Sequence, residues 1–150
     1  MAVAKNTIVI GSDHAGYKLK EFIKGELKRR KVPFEDVGAH AVDPEDDYPD
    51  WVGAVARKVS DGTFSRGIGI CGAGIGASIT ANRFPRVRAA LCTSAEIARL
   101  SRQHNDANML VLGGRITSEE DAAAILEVWL TASFEGGRHQ RRVEKLEHLL

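Results

Sequence analysis

RGIGICGAGIG, residues 66–76, begins as an apolar run and turns glycine-rich immediately after Cys71. A short apolar run, a glycine turn and then a segment of helical period read as a buried strand delivered into a helix, one βα unit of a parallel sheet. The same alternation recurs on both sides. NTIVIG (6–11) is a first strand, and YKLKEFIKGELKRR (17–30) follows it with Leu19, Phe22, Ile23 and Leu27 on one face. That spacing packs a helix on a sheet and leaves its lysines as a solvated face. PFEDVG (33–38) is a short second strand, and Asp47 with Pro49 starts a helix that turns Trp51, Val52, Val55, Ala56 and Val59 inward.

Downstream of residue 76 a helix runs to about Arg83, VRAALC (87–92) is a fourth strand, and Thr93 with Glu96 has the capping-box spacing for a helix to about His104. NMLVLGG (108–114) is strand five. Thr117 with Glu120 repeats the box before a long helix that buries Ile125, Leu126, Trp129 and Leu130, and the glycines after Glu135 stop it. A last helix covers 138–150. Five strands and about six helices, with no repeat or linker, define one α/β domain over 1–150: a doubly wound, Rossmann-like parallel sheet with helices on both faces and a C-terminal helix.

Composition narrows the function classes. The 150 residues carry 21 Lys plus Arg against 20 Asp plus Glu, so no global field recruits nucleic acid or a lipid surface, and any anion site is local. No apolar stretch has the length of a signal peptide or a membrane span, so a soluble, cytoplasmic protein is the expectation. Cys71 and Cys92 form no CxxC pair and no zinc spacing, so neither a disulfide framework nor a metal is expected.

Open parallel sheets bind ligands beyond the carboxyl ends of their strands, where loops converge and helix N-termini present free N–H groups. Four stretches are candidates on that rule: SDHAG after strand one, CGAGIG after strand three, the HND turn before strand five, and the GGR after it. Gly72, Gly74 and Gly76 let an anion or oxyanion approach the main chain, although a tight strand-to-helix turn needs glycines too. GAGIGA (72–77) also satisfies GxGxxA, but the next strand ends LCTS with no carboxylate for a ribose, which argues against a dinucleotide. Cys71 stands at a strand end beside a helix N-terminus, where the thiolate is favoured; a small buried hydrophobe is the plainer use of the same residue. Cys92 reads as packing. Asp13 suits a helix cap, and His14 has no such structural use and suits a hydrogen bond to a hydroxyl or phosphate. His104 and Asn105 end a helix, where the dipole favours an imidazolium proton donor, and the pair serves equally as a helix stop. Arg138 and Arg142 lie four apart on one helical face, with Arg115 a possible neighbour, either as a solvated face or as planar forks for a phosphate. The absence of interleaved aromatics argues against single-stranded nucleic acid.

Together GSDHAG, DDYPDW, GICGAGIGASITANRFPRVRAALC, ARLSRQHNDANMLVLGGR and FEGGRHQRRVE resemble, in order and spacing, the ribose-5-phosphate isomerase type B family, which also contains the galactose-6-phosphate isomerase subunits. The resemblance implies a cofactor-free and metal-free aldose–ketose isomerase of phosphorylated sugars, ribose 5-phosphate first and hexose 6-phosphates as the alternative. It implies Cys71 as the base between C2 and C1 and His104 as the acid that assists ring opening. Asp13, His14 and Asn105 become sugar contacts, Tyr48 a pocket residue, and Gly72, Ala73, Gly74, Ile75 and Gly76 the loop whose amides hold the enediolate. Arg115, Arg138 and Arg142 become substrate or phosphate contacts. It also implies a homodimer, often paired into tetramers, with active sites shared between subunits. Family members often carry Thr or Ser where this chain has Ala73, a difference that bears on rate and substrate. A sugar-phosphate binding module without catalysis and a redox-sensing Cys71 are the competing readings, the latter with no resolving cysteine nearby.

Overall fold

The apolar runs of the three central strands are buried on both faces, as a sheet covered by helices on each side requires, while the two short outer strands are only partly covered. The computed structural model describes residues 3–149. In chain order the elements are β1 (Ile8–Ser12), α1 (Tyr17–Arg29), β2 (Phe34–Asp36), α2 (Tyr48–Ser60), β3 (Arg66–Cys71) and α3 (Ile75–Ala81). They continue with β4 (Ala89–Leu91), α4 (Ala95–Asn105), β5 (Met109–Gly113), α5 (Glu119–Thr131) and α6 (Arg138–Leu146). The five strands are all parallel in the order β2-β1-β3-β5-β4. The last helix stops at Leu146, four residues short of the expected end, and Leu150 lies outside the described residues. No described helix is long and apolar enough to cross a membrane.

The period-two alternation of the strands sorts the core into two clusters. Ile8, Ile10, Ile68, Ile70, Leu110 and Leu112 meet Leu19, Ile23 and Leu27 of α1, Ala98 of α4 and Ile125, Leu126 and Trp129 of α5. Val9, Met109 and Val111 point the other way, onto Val52, Val55, Ala56 and Val59 of α2 and Ala77 and Ala81 of α3. α6 packs on α4 rather than on the sheet.

Two helix caps differ from the expected boxes. Ser94, not Thr93, accepts from the Ile97 amide at 3.2 Å, and Ser118, not Thr117, accepts from the Asp121 amide at 3.1 Å. The serines lie one residue nearer the helix, in the extended conformation that a cap needs, so the glutamates at 96 and 120 fall out of box register.

The lysines of α1 are not all solvated. Lys20 is fully buried and donates to Asp36 Oδ2 at 2.6 Å and to the Ala39 carbonyl at 2.5 Å, and Lys24 reaches the same carboxylate at 2.9 Å. Burial alone would raise the Asp36 pKa; the hydrogen bonds from Lys20, Lys24 and the Gly38 amide outweigh it and hold the carboxyl below its ordinary range. The contacts tie α1 to the end of β2 and to the loop that follows it. We expect Lys20→Met to cost about 3 kcal/mol in urea unfolding at neutral pH, because one partner of a buried pair is left behind. The stabilisation belongs to ionised Asp36, so it is complete above the ordinary Asp range and is lost as pH falls through the depressed native value. The gap between parent and variant should therefore narrow in acid, and an equal gap at pH 7 and pH 3 would refute the account.

Candidate active site

β1, β3 and β5 are neighbours and end level with one another, Ser12 beside Ile70 and Cys71 beside Gly113. Their loops are therefore pressed together at the carboxyl edge of the sheet. The Gly114 amide donates to the Cys71 carbonyl at 2.8 Å and the Arg115 amide to the Gly72 carbonyl at 2.9 Å, which lays the loop after β5 along the glycine loop. Cys71 is 5% exposed, at the floor of this junction. Gly74 has φ +80°, and a Cβ there would stand 2.5 Å from Leu91 Cδ1, so both conformation and space demand glycine. A Cβ on Gly76 would collide with the Tyr48 ring, which places that phenol, at the first turn of α2, directly on the loop. Among the described residues the amides of Ala73, Gly74, Ile75 and Gly76 donate to no protein acceptor. A row of free N–H groups beside a thiol is a receptor for an oxyanion.

Asp13 and His14 follow β1 into the same junction. Asp13 is buried, and its Oδ1 accepts the Gly16 amide at 2.9 Å; the residue at the cap position of α1 is Gly16 itself. The half-buried His14 is held by Asp46, whose Oδ1 lies 2.6 Å from His14 Nδ1 and 3.0 Å from the His14 amide. Trp51 Nε1 donates to the other oxygen of Asp46 at 3.1 Å. Desolvation opposes the Asp46 charge, and the three hydrogen bonds overcome it, so its pKa is lowered and it is an anion at neutral pH. Asp46 was not legible as a site residue: it lies in a loop with other acidic residues, and nothing local separates it from Asp43 or Asp47.

His104 and Asn105 do not join this cluster. α4 runs antiparallel to the strands, so its C-terminal residues arrive at the amino edge of the sheet, and the HND turn feeds the start of β5. The carboxyl-edge rule covers loops that follow strands, and this turn precedes one. The helix of 11 residues spans about 16 Å, which is the scale of the separation between His104 and the Cys71 end. At the amino edge His104 and Asn105 meet α6: with His139, Arg142, Val143 and Leu146 they line a cavity of ≈ 320 Å³. The rings of His104 and His139 stack at 4.3 Å, and Glu135 Oε1 lies 3.7 and 3.6 Å from their Nε2 atoms. Burial first, then the charges of His104 and Arg138, lowers the pKa of His139 and favours its neutral form. Arg138, the first residue of α6, is exposed one turn before Arg142. Sequence reasoning missed His139 and Glu135, although both stand in the FEGGRHQ stretch; neither contact is visible before α6 packs on α4.

Two groups of side chains come close enough to hold a metal ion, His104 with Glu135 and His139, and Asp13 with His14 and Asp46. In the first the imidazoles are parallel, so their in-plane lone pairs do not converge on one point. In the second the 2.6 Å contact is a hydrogen bond that uses the donor atoms on each other. Cys92 lies buried at the end of β4, and desolvation pushes its thiol up to about 11, consistent with packing alone.

A buried thiol, a carboxylate-held imidazole and a row of open amides, gathered at the carboxyl edge of a parallel sheet, are the features of a candidate site for a small anionic ligand. Residues 8–146 match the Ribose/Galactose Isomerase family, and the chain belongs to it: it is a sugar-phosphate aldose–ketose isomerase. It is 45% identical over 139 residues to ribose-5-phosphate isomerase B of Escherichia coli, covering 93% of each chain. The Clostridium thermocellum ribose-5-phosphate isomerase B structure superposes with TM-score 0.92 at 48% identity, covering 95% of this chain and 96% of that one. The Mycoplasma genitalium enzyme, solved with bound ribulose-5-phosphate, gives 0.91 at 42% identity over 95% and 94% of the two chains.

Proposed function

We propose that the protein interconverts ribose 5-phosphate and ribulose 5-phosphate by proton transfer through an enediolate, with Cys71 as the base. The observation that carries this is the placement of the thiol beside the free amides of residues 73–76. In the forward direction the Cys71 thiolate takes the C2 proton, and the electron pair moves through C1 onto O1. The amides meet the charge as it forms there, a contribution that typically costs about 3 kcal/mol when one such donor is removed. The thiol returns the proton to C1 as the O2 proton leaves and O1 is protonated, so charge and atoms balance. Asp13, His14 and Tyr48 line the sugar, and Arg115, exposed over Gly72, faces its anionic end.

The second half of the machinery, His104 with Asn105, Arg138 and Arg142, is supplied in this reading by a second copy of the chain. His104 then assists ring opening and the arginines bind the phosphate, whose binding energy orients C1 and C2 over Cys71. Two features support this assembly: the roughly sheet-high gap between the two clusters within one chain, and the exposed apolar side chains Ile75, Ile79 and Ile116 around the glycine loop.

Ribose 5-phosphate, allose 6-phosphate and galactose 6-phosphate offered to the purified protein test the substrate. The expected result is a kcat/KM for ribose 5-phosphate at least about tenfold above either hexose, the scale on which pocket size discriminates. Preferential turnover of a hexose phosphate would reassign the substrate, and binding without turnover of any would overturn the reading.

A further inference from the structure

Building on the isomerase reading, we propose that Asp46 is a positioning residue that acts through His14, fixing the ring so that its Nδ1 carries a proton and its Nε2 is presented to the substrate. The sugar contact is then made by one defined nitrogen rather than by a ring free to rotate and exchange tautomers.

The geometry determines the proton's place. The Asp46 carboxylate has only lone pairs to offer, so the atom 2.6 Å from it, His14 Nδ1, is the donor. The same Oδ1 accepts the His14 backbone amide at 3.0 Å, so one oxygen holds both main chain and ring of the residue. Trp51 Nε1 binds Oδ2 at 3.1 Å and prevents the carboxylate from turning away. The Asp46 side chain is 9% exposed, whereas the His14 ring is 24% exposed, so water competes little for the shared bond while the far side of the ring remains open. Three separate parts of the chain are joined: the loop after β1, the segment before α2, and α2 itself. A carboxylate that orients an imidazole in this way selects the tautomer of the ring, which decides whether the free nitrogen accepts or donates.

Two measurements test the proposal. In the substrate-free protein, 15N shifts of His14 should show the Nδ1–H tautomer, and Asp46→Ala should convert it to a mixture; a parent ring already mixed, or mainly Nε2–H, overturns the proposal whatever the protein catalyses. For turnover of ribose 5-phosphate, Asp46→Ala should lower kcat/KM by about tenfold to a hundredfold, the range of a charge-assisted hydrogen bond. Asp46→Asn, which keeps an acceptor oxygen for Nδ1–H, should recover part of that loss. In a His14→Ala background the same Asp46→Ala substitution should cost less than about twofold, because its route to the substrate is gone. An undiminished loss in that background would make Asp46 a general prop of the loop and sink the inference. Activity of Cys71→Ala tests the isomerase reading separately, so the two ideas fail independently.

Discussion

Cys71→Ala should abolish isomerisation while leaving the fold intact. Proton transfer by a positioned base contributes roughly a hundredfold to ten-thousandfold, and no other thiol is available to replace it. Cys92, at the end of β4 and separated from β3 by β5, is fully buried, with its thiol pushed up to about 11 by desolvation. The structural effect is small by comparison, about 1 kcal/mol for loss of a single buried sulfur atom. Cys71→Ser removes the ambiguity that remains: it nearly restores the volume but supplies a hydroxyl, a far poorer base near neutral pH, so it should be as inactive as the alanine variant. Both should still show a thermal shift with ribulose 5-phosphate, since the amides and arginines are untouched. Full turnover by either variant would remove Cys71 from the reaction.

Complementation between two inactive variants should restore activity. Cys71→Ala damages only the carboxyl-edge cluster, and the double variant His104→Ala, Arg142→Ala damages only the amino-edge cluster. If every site takes one cluster from each of two copies in an isologous dimer, a mixed dimer has one site with both clusters intact and one with neither. Co-refolding equal amounts should then return roughly a quarter of the parent activity, half of the dimers being mixed and half of their sites competent. Activity no greater than the average of the two variants would place the whole machinery in a single chain. The gap along α4 makes that outcome unexpected, because an arginine side chain reaches less than half the helix length of about 16 Å. The exposed Ile75, Ile79 and Ile116 surround the cluster that the second copy would complete.

Much of the carboxyl-edge site was legible before the fold was known. A strand that ends in cysteine and then turns through Gly72, Gly74 and Gly76 places a thiol at a loop whatever the tertiary structure, because period-two burial and glycine geometry are local properties. β1 followed by Asp13 and His14 was legible for the same reason, and so was the start of α2 at Asp47 and Pro49. The helix caps were misread by one residue, since Thr93–Ser94 and Thr117–Ser118 each offer two competent hydroxyls and only the backbone conformation selects between them. Lys20 was misread as solvent-facing because its neighbours on α1 are lysines; its burial depends on Asp36 and Ala39, which come from a different strand end.

The amino-acid sequence by itself determined the succession of strands and helices along the chain, most of the residues that face the core, and the thiol at the glycine turn, all of which follow from side chains within a few positions of one another. Tertiary structure alone decided which loops share an edge. It separated His104 and Arg142 from Cys71, brought His139 against His104, and aimed Asp46 at a ring 32 residues away in sequence. Those relations depend on the direction in which each helix returns across the sheet and on how the strands are ordered, and no local pattern of residues encodes either.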